Sequence, residues 1–358
     1  MKWIIKQTAW LLASVAFLYV VILGVTLVLV PLHHQTGGLE TRRAPRTLYM
    51  TEPKYFFLAR TALRSDTDRL ILLGASNAMS GFRLDELQPL VPNLLANNLA
   101  VSGSNVTEMR QAYELIRDAQ APNAAKRTIY VLGIWNGVFV PDALKWNTPD
   151  RNAGETDLDI ERFRYGFYRR GADGPVQLLP TDDLELGLVL IHPYLALDKL
   201  VRVATDDLRA RFLKMKPAKS DAERNATVIT PEQQAQYLAF WQNQFADSTT
   251  IPQEQFDVLT ALVDDILDGG DTVVVADLPV PSWLAKHSPL NQSYNALKAD
   301  WLAQMSGRKG FAFVEMQDAF ADDEFVDEVH PKPRVTREWS RRLAAAINEN
   351  AAKAVSNP

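Results

Sequence analysis

The chain has 358 residues, which is enough for one large domain or two smaller ones with a sizeable buried core. Its 38 basic and 43 acidic side chains give a formal charge of -5 with no dense run of lysine and arginine, which argues against a nucleic-acid partner. Since the chain has no cysteine, a disulfide framework, a thiolate nucleophile and a cysteine-based zinc site are excluded.

The first element in chain order is an uncharged apolar segment, Gln7–Leu32. About 20 such residues cross the hydrocarbon core of a bilayer. The segment is longer than the roughly 7–15 apolar residues of a signal peptide and lacks a small-residue cleavage site at its end, so we expect an uncleaved anchor over residues 1–35. The alternative is a buried core helix. The basic residues that flank the two ends of the apolar segment are nearly balanced in number. We expect a single-pass protein of the bacterial inner membrane with its body in the periplasm.

Residues 36–66 combine glycines, prolines and mixed charges, which predicts a stalk before a catalytic domain over residues 67–358. In that domain short apolar segments alternate with amphipathic ones, as in α/β proteins. The predicted strands are Arg69–Leu73, Leu94–Val101, Thr128–Gly133, Thr272–Ala276 and Phe311–Glu315. The predicted helices are Val106–Ala119, Gln253–Leu267, Gln292–Met305 and Val335–Ala351. The fold class expected from this pattern is a three-layer α/β/α arrangement around a five-stranded, mostly parallel sheet.

One stretch, from about residue 141 to 251, is too long for a crossover between strands and is predicted to be an insertion with its own helices. Aromatic residues and arginines alternate in it from Phe163 to Arg170. That pattern suits sugar stacking, an apolar cleft wall or packing within the insertion.

A serine follows the first predicted strand in Gly74-Ala75-Ser76-Asn77. A strand that opens into a helix through Gly-x-Ser commonly presents a nucleophile, although a serine here can also be a helix N-cap. Asp327 precedes His330 by one turn after the last strand. Such a carboxylate can orient one imidazole nitrogen and leave the other facing a serine, the alternative being a surface acid and a loop histidine. Serine, histidine and aspartate are the parts of an acyl-transfer site.

Two further residues follow the second and third strands, Gly103 and Asn136. Each could be a turn residue, or could donate to an oxyanion, Gly103 through its backbone N–H and Asn136 through its amide. Because the carboxyl ends of parallel strands meet at one edge of a sheet, both can share a site with Ser76. Arg83 is either an exposed helix charge or a contact for an acidic substrate.

With these motifs the chain resembles the SGNH (GDSL-like) hydrolase superfamily, over roughly residues 67–138 and 270–350. The resemblance implies the SGNH, flavodoxin-like fold, Ser76 as nucleophile, His330 as base and Asp327 as its orienter. It also implies an oxyanion hole formed by Ser76, Gly103 and Asn136, and neither a metal nor a cofactor.

The chain departs from the family pattern in two places. It has Gly-Ala-Ser where the family has Gly-Asp-Ser, and Gly133-Ile134-Trp135-Asn136-Gly137 where the family has Gly-x-Asn-Asp. Neither change removes a catalytic group. Both predict a divergent branch with an altered substrate fit.

The overall plan of anchor, stalk, divergent domain and insertion resembles the DltD-like and alginate O-acetylation-type proteins of the cell envelope. That resemblance implies transfer of an O-acyl group, above all acetyl, to a cell-envelope polysaccharide, or its hydrolysis, through an acyl-serine. A multi-spanning acyltransferase is the implied protein partner. Two alternatives stay open: a catalytically silent glycan-binding or scaffold protein of a membrane complex, and an esterase of the lipase or lysophospholipase type.

Overall fold

The computed structural model describes residues 2–29, 67–119, 127–141, 144, 168–171, 174–177, 189–190, 193 and 220–356. The predicted stalk, most of the predicted insertion and the aromatic stretch from Phe163 up to residue 167 lie outside the described residues.

A five-stranded parallel sheet forms the centre of the described structure, as predicted. The strands are β1 (Arg69–Gly74), β2 (Leu95–Asn98), β3 (Thr128–Ile134), β4 (Tyr168–Gly171), β5 (Gly174–Gln177), β6 (Thr272–Asp277) and β7 (Phe311–Glu315). The main sheet has the order β2-β1-β3-β6-β7, while β4 and β5 form a separate antiparallel pair. Every position of β1 and β3 is buried, which explains why both strands read as uninterrupted apolar runs.

The second strand is shorter than the predicted Leu94–Val101. After Asn98 the backbone N–H of Ala100 turns to the Asn98 side-chain oxygen at 3.2 Å. This N–H lies on the free edge of β2, because the N–H groups of Leu99 and Val101 donate to Leu72 O and Gly74 O of β1, each at 2.9 Å. Asn98 therefore satisfies an edge N–H, and single bonds to β1 continue beyond the end of the strand.

Helices cover both faces of the sheet. The helices of the described residues are α1 (Lys2–Leu29), α2 (Ser76–Gly81), α3 (Leu84–Leu87), α4 (Val106–Ala119), α5 (Asp221–Asn225), α6 (Pro231–Gln244), α7 (Gln253–Asp268), α8 (Ser282–His287), α9 (Pro289–Met305) and α10 (Thr336–Ser356). Short 3-10 turns occupy Gln88–Leu90, Asn136–Phe139 and Asp322–Glu324. Helices α4 and α7 pack against each other beside β1 and β6, and α10 packs with α2, α3 and β7. Each buries one apolar stripe, as Trp339, Leu343 and Ile347 of α10 illustrate.

Helix α9 begins at Pro289, before the predicted start at Gln292. The side chain of Ser288 accepts the backbone N–H of Asn291 at 3.3 Å and caps the helix. Proline in the first turn after a serine cap is a strong start signal, and it outweighs the apolar periodicity on which the prediction relied.

Helix α1 is long and apolar enough to cross a membrane over Lys2–Val28, with a mean hydropathy of 2.7 and no buried residue. A core helix would bury one face, so that alternative is wrong. Membrane anchors and signal sequences share these properties.

The strand order places a crevice at the carboxyl edge of the sheet. From β1 the chain passes to β2 on one side, and β3 then lies on the other side of β1. Ligands of open α/β sheets bind where the order reverses in this way. The loops after β1 and β3 flank that point.

Candidate active site

Ser76 is the first residue of α2, directly after β1. The N-cap of this helix is Ala75, in extended conformation and without a side-chain capping bond, so the N-cap alternative for Ser76 is excluded. A Cβ at Gly74 would lie 2.7 Å from the Cβ of Ala78 and 3.0 Å from the carbonyl oxygen of Gly133. Glycine therefore lets the helix begin against the end of the strand, and the half-buried Ser76 lies at that edge.

A chain of hydrogen bonds joins Ser76 to the Asp327–His330 loop. The Oγ of Ser76 lies 2.8 Å from Nε2 of His330. The other ring nitrogen, Nδ1, lies 2.8 Å from each carboxylate oxygen of Asp327. This is the geometry in which an imidazole can take a proton from a serine while a carboxylate fixes its orientation.

The loop itself holds the carboxylate in place. Oδ1 of Asp327 accepts the backbone N–H of Val329 at 3.1 Å and that of His330 at 2.8 Å. The ends of the loop are closed by a bridge between Phe325 and Pro331. The Asp-x-x-His spacing thus lets one aspartate bind both the backbone and the ring of its histidine.

These bonds also set the charge of Asp327. Burial raises the pKa of the carboxyl group, but the hydrogen bonds and charge of His330 and the amide of Val329 outweigh it and bring the pKa below its ordinary value. Asp327 is therefore ionised at neutral pH.

Gly103 lies in a loop that is bound to the end of β1. The backbone N–H of Val101 donates to Gly74 O at 2.9 Å, and the Oγ of Ser104 donates to the same oxygen at 2.8 Å. Gly103 between them has a φ of +70°, a conformation that favours glycine, and it is exposed. The loop thereby keeps Gly103 beside the strand that delivers Ser76.

Asn136 opens the 3-10 turn after β3 and is fully buried. Neither atom of its amide has a hydrogen-bond partner among the described residues. An unpartnered buried polar group costs about 1–3 kcal/mol, so such an amide is conspicuous in a folded core. The ring of Trp135 folds over Gly137, where a Cβ would come within 2.2 Å of it, and covers the turn.

Asn98 is a positioning residue that the sequence analysis did not identify. Its Nδ2 lies 3.2, 3.3 and 2.9 Å from the carbonyl oxygens of Ala78, Met79 and Phe82. These bonds tie the end of α2 to β2. The pair of adjacent asparagines, Asn97 and Asn98, in the predicted apolar strand was the available signal.

The end of the predicted insertion also reaches the site. Trp241 of α6 packs edge-on against Trp135 with 4.6 Å between ring centroids. Its indole N–H donates to Oε1 of Glu328 at 3.4 Å. Residue 328 is next to Asp327, so α6 lies between the Asn136 turn and the Asp327–His330 loop.

Arg83 is not the exposed helix charge expected from the sequence. Its side chain is only 12% exposed, and it pairs with Asp85 at 3.7 Å and with Asp221 of α5 at 3.6 Å. Arg83 therefore connects the segment after α2 to α5, and its guanidinium is already neutralised.

A second buried group of charges lies at the same edge of the sheet. Asp277, at the end of β6, accepts from Tyr294 at 2.6 Å and from Lys298, which also pairs with Glu315 at 3.1 Å. Burial raises the pKa of Asp277 to about 7, although the charge of Lys298 lowers it. The cluster binds α9 to β6 and β7. Within the described ranges no group of three or more metal-ligating side chains lies together.

Comparisons with known proteins give little beyond this geometry. No family profile matches the chain, and no curated protein does. Among solved structures the chain is similar to a GDSL-like lipase from Bacteroides thetaiotaomicron, with 10% identity and a TM-score of 0.38 over 85% of this chain and 99% of that chain. The roles of the site residues are therefore assigned from their geometry alone.

Proposed function

We propose that the chain is a serine acyl-transfer enzyme of the SGNH type. The observation that carries this proposal is the hydrogen-bond chain from Ser76 through His330 to Asp327, with both links at 2.8 Å. His330 takes the proton of Ser76 as Oγ attacks an ester carbonyl, and the ionised Asp327 stabilises the imidazolium. His330 then gives the proton to the departing alcohol, which leaves an acyl-serine.

In the tetrahedral intermediate the former carbonyl oxygen carries a negative charge, which needs hydrogen-bond donors around that oxygen. We assign this role to the backbone N–H groups of Ser76 and Gly103 and to the amide of Asn136. Ser76 is the first residue of its helix, so its N–H has no acceptor within the helix. The buried, unpartnered amide of Asn136 would gain an acceptor in the intermediate, which supports its assignment.

Water and a sugar hydroxyl resolve an acyl-serine through the same residues, so the triad alone does not distinguish hydrolysis from transfer. We propose O-acyl transfer or hydrolysis, with acetyl as the acyl group, on a cell-envelope polysaccharide. The apolar helix α1 and the overall plan of the chain support a membrane-anchored enzyme with its site in the periplasm. A multi-spanning acyltransferase that supplies the acyl group is the partner that fits this proposal.

The test is covalent labelling of the full chain in nanodiscs with a fluorophosphonate, followed by intact mass. We expect one adduct on the parent and on Ser80→Ala, whose serine lies in the same helix with its Oγ 2.8 Å from the carbonyl oxygen of Ser76. Ser76→Ala should lose the adduct, and His330→Ala should react far more slowly. An adduct that persists in Ser76→Ala, or no adduct on a folded parent, would contradict the proposal.

A further inference from the structure

Helix α6 carries three aromatic residues at positions 237, 240 and 241, two of which, Tyr237 and Trp241, lie beside the Asp327–His330 loop. Tyr237 and Trp241 are half-buried, and Phe240 is 48% exposed. The rings of Phe240 and Trp241 meet at 5.3 Å, and the ring of Tyr237 stacks on Trp283 of α8 at 6.3 Å. We call Tyr237, Phe240 and Trp241 the α6 aromatic face.

Two residues of this face lie beside the histidine loop, and Trp241 also packs on the buried Trp135 with 4.6 Å between ring centroids. Trp241 donates to Glu328, the residue between Asp327 and the rest of the loop. The phenol of Tyr237 has a raised pKa because it is partly buried and because the charges of Glu328 and Asp327 lie nearby. Both residues of α6 therefore border the loop that carries the imidazole.

In acyl transfer, one particular part of the substrate must lie beside His330. The oxygen that leaves the ester takes the proton that His330 removed from Ser76. In the second step an incoming hydroxyl gives its proton to His330 as it bonds to the acyl carbon, and His330 returns that proton to Oγ as the bond between Oγ and the acyl carbon breaks. The alcohol part of the substrate must therefore lie against the histidine, whereas the acyl carbonyl lies at Ser76 and the proposed oxyanion donors. A surface that borders the Asp327–His330 loop consequently meets the alcohol part.

The side chains of α6 indicate what kind of alcohol the substrate contains. Phe240 is flanked one turn away on each side by the exposed amides of Gln236 and Gln244, and the helix has no lysine or arginine. An exposed aromatic ring bordered by amides suits a ring with apolar C–H faces and hydroxyl edges, because the amides can bond the hydroxyls. An anionic headgroup would find no basic partner on the helix.

We propose that the α6 aromatic face is the subsite for the alcohol part of the substrate, and that this part is an uncharged sugar ring. The proposal rests on the proposed acyl-transfer function and adds a specificity-determining surface to it. Phe240 stacks on the sugar, and Trp241 is a positioning residue whose bond to Glu328 keeps the face against the catalytic loop.

Binding is measured first, without catalysis. The full-length Ser76→Ala chain in nanodiscs, free of glycoside detergents, is titrated calorimetrically with cello-oligosaccharides, chito-oligosaccharides and O-acetylated xylo-oligosaccharides. We expect at least one of these probes to bind, and adding Phe240→Ala to weaken its binding about 3- to 10-fold. The matched control adds Val228→Ala, an apolar truncation at a residue that is 78% exposed and precedes α6, and should leave the affinity unchanged.

Turnover is measured second, on the parent and the single variants. The ratio of kcat/KM for O-acetylated xylo-oligosaccharide to kcat/KM for vinyl acetate, whose leaving group has no ring, should fall by about the same factor in Phe240→Ala. Trp241→Phe keeps a ring but loses the bond to Glu328, so it should lower kcat as well as raise KM for the oligosaccharide.

The two measurements separate the two proposals. Absence of binding by all three probes, or equal weakening by Val228→Ala and Phe240→Ala, overturns the sugar subsite whatever the activity. Sugar binding that depends on Phe240, in a chain that forms no acyl-serine, overturns the acyl-transfer function and leaves α6 as a sugar-binding surface. Turnover of monoacylglycerol micelles with no binding of the oligosaccharides would replace the sugar by a lipid.

Discussion

Replacement of Asn98 by alanine tests how the nucleophile is held. The Asn98 amide contacts three carbonyl oxygens at the end of α2, the shortest at 2.9 Å, and also accepts the N–H of Ala100. Alanine removes the donor for Phe82 O and the acceptor for Ala100 N–H, whereas Ala78 O keeps the backbone N–H of Phe82 at 3.2 Å. At about 1–3 kcal/mol for a buried group left unpaired, we expect the free energy of unfolding to fall by about 2–4 kcal/mol.

The catalytic effect of the same variant should exceed the loss of folded protein. Helix α2 has six residues, too few to keep its position without tertiary bonds, and it carries Ser76 at its first position. A displacement of the nucleophile by a fraction of an ångström weakens the bond to His330. We therefore expect Asn98→Ala to lower kcat about 10-fold or more for vinyl acetate at temperatures where the protein is fully folded.

The measurements are urea denaturation followed by tryptophan fluorescence, and steady-state turnover. Asn97→Ala is the matched control, because Asn97 is equally buried in β2 but its Nδ2 bonds only to Leu95 O of its own strand, at 3.3 Å. Its loss of stability should be smaller and its kcat near that of the parent. Equal effects of the two variants, or full activity in Asn98→Ala, would refute the positioning role of Asn98.

The remaining predictions concern the site itself. Asp327→Asn should lower kcat by about 10²–10⁴, because the neutral amide neither fixes the tautomer nor stabilises the imidazolium; activity near that of the parent would argue against the triad. Asn136→Ala should lower kcat by about 10²–10³ yet cost less than about 1 kcal/mol in denaturation, since its amide has no partner to lose; a large stability loss with normal kcat would make it structural. Because the folded pKa of Asp327 lies below its unfolded value, its contribution to stability is present above about pH 4 and is lost as the pH falls through the folded pKa. The stability difference between the parent and Asp327→Asn should therefore shrink on acidification, and a difference that stays constant from neutral pH to pH of about 3 would contradict this linkage.

Much of the fold follows from local pattern. Strands buried on both faces read as short apolar runs, so β1, β3 and β6 are predicted to within one residue of their ends, and the apolar edge strand β7 is predicted at its observed bounds. Helices with one apolar stripe, such as α4 and α7, are predicted equally well from the sequence. One error lies where a side chain overrides the pattern, as Ser288 does at the start of α9.

Some features of the candidate site could be predicted from the sequence, and others could not. Ser76 could be singled out because it follows a strand in a Gly-x-Ser motif, and Asp327 and His330 because of their Asp-x-x-His spacing after the last strand; the structure joins all three by hydrogen bonds. Their catalytic roles stay predictions. The contact of Trp241 with Glu328 was not predictable, because it joins residues 87 positions apart and no local periodicity encodes such a pair.

The central claim is that Ser76 carries the acyl group during turnover. The direct measurement is mass spectrometry of the full chain mixed with vinyl acetate, quenched in acid before the steady state and digested into peptides. An additional acetyl group on the peptide that contains Ser76, absent in Ser76→Ala and accumulating more slowly in His330→Ala, is the predicted result. An acetyl group on any other peptide, or turnover with no acetylated peptide at any quench time, would contradict the claim.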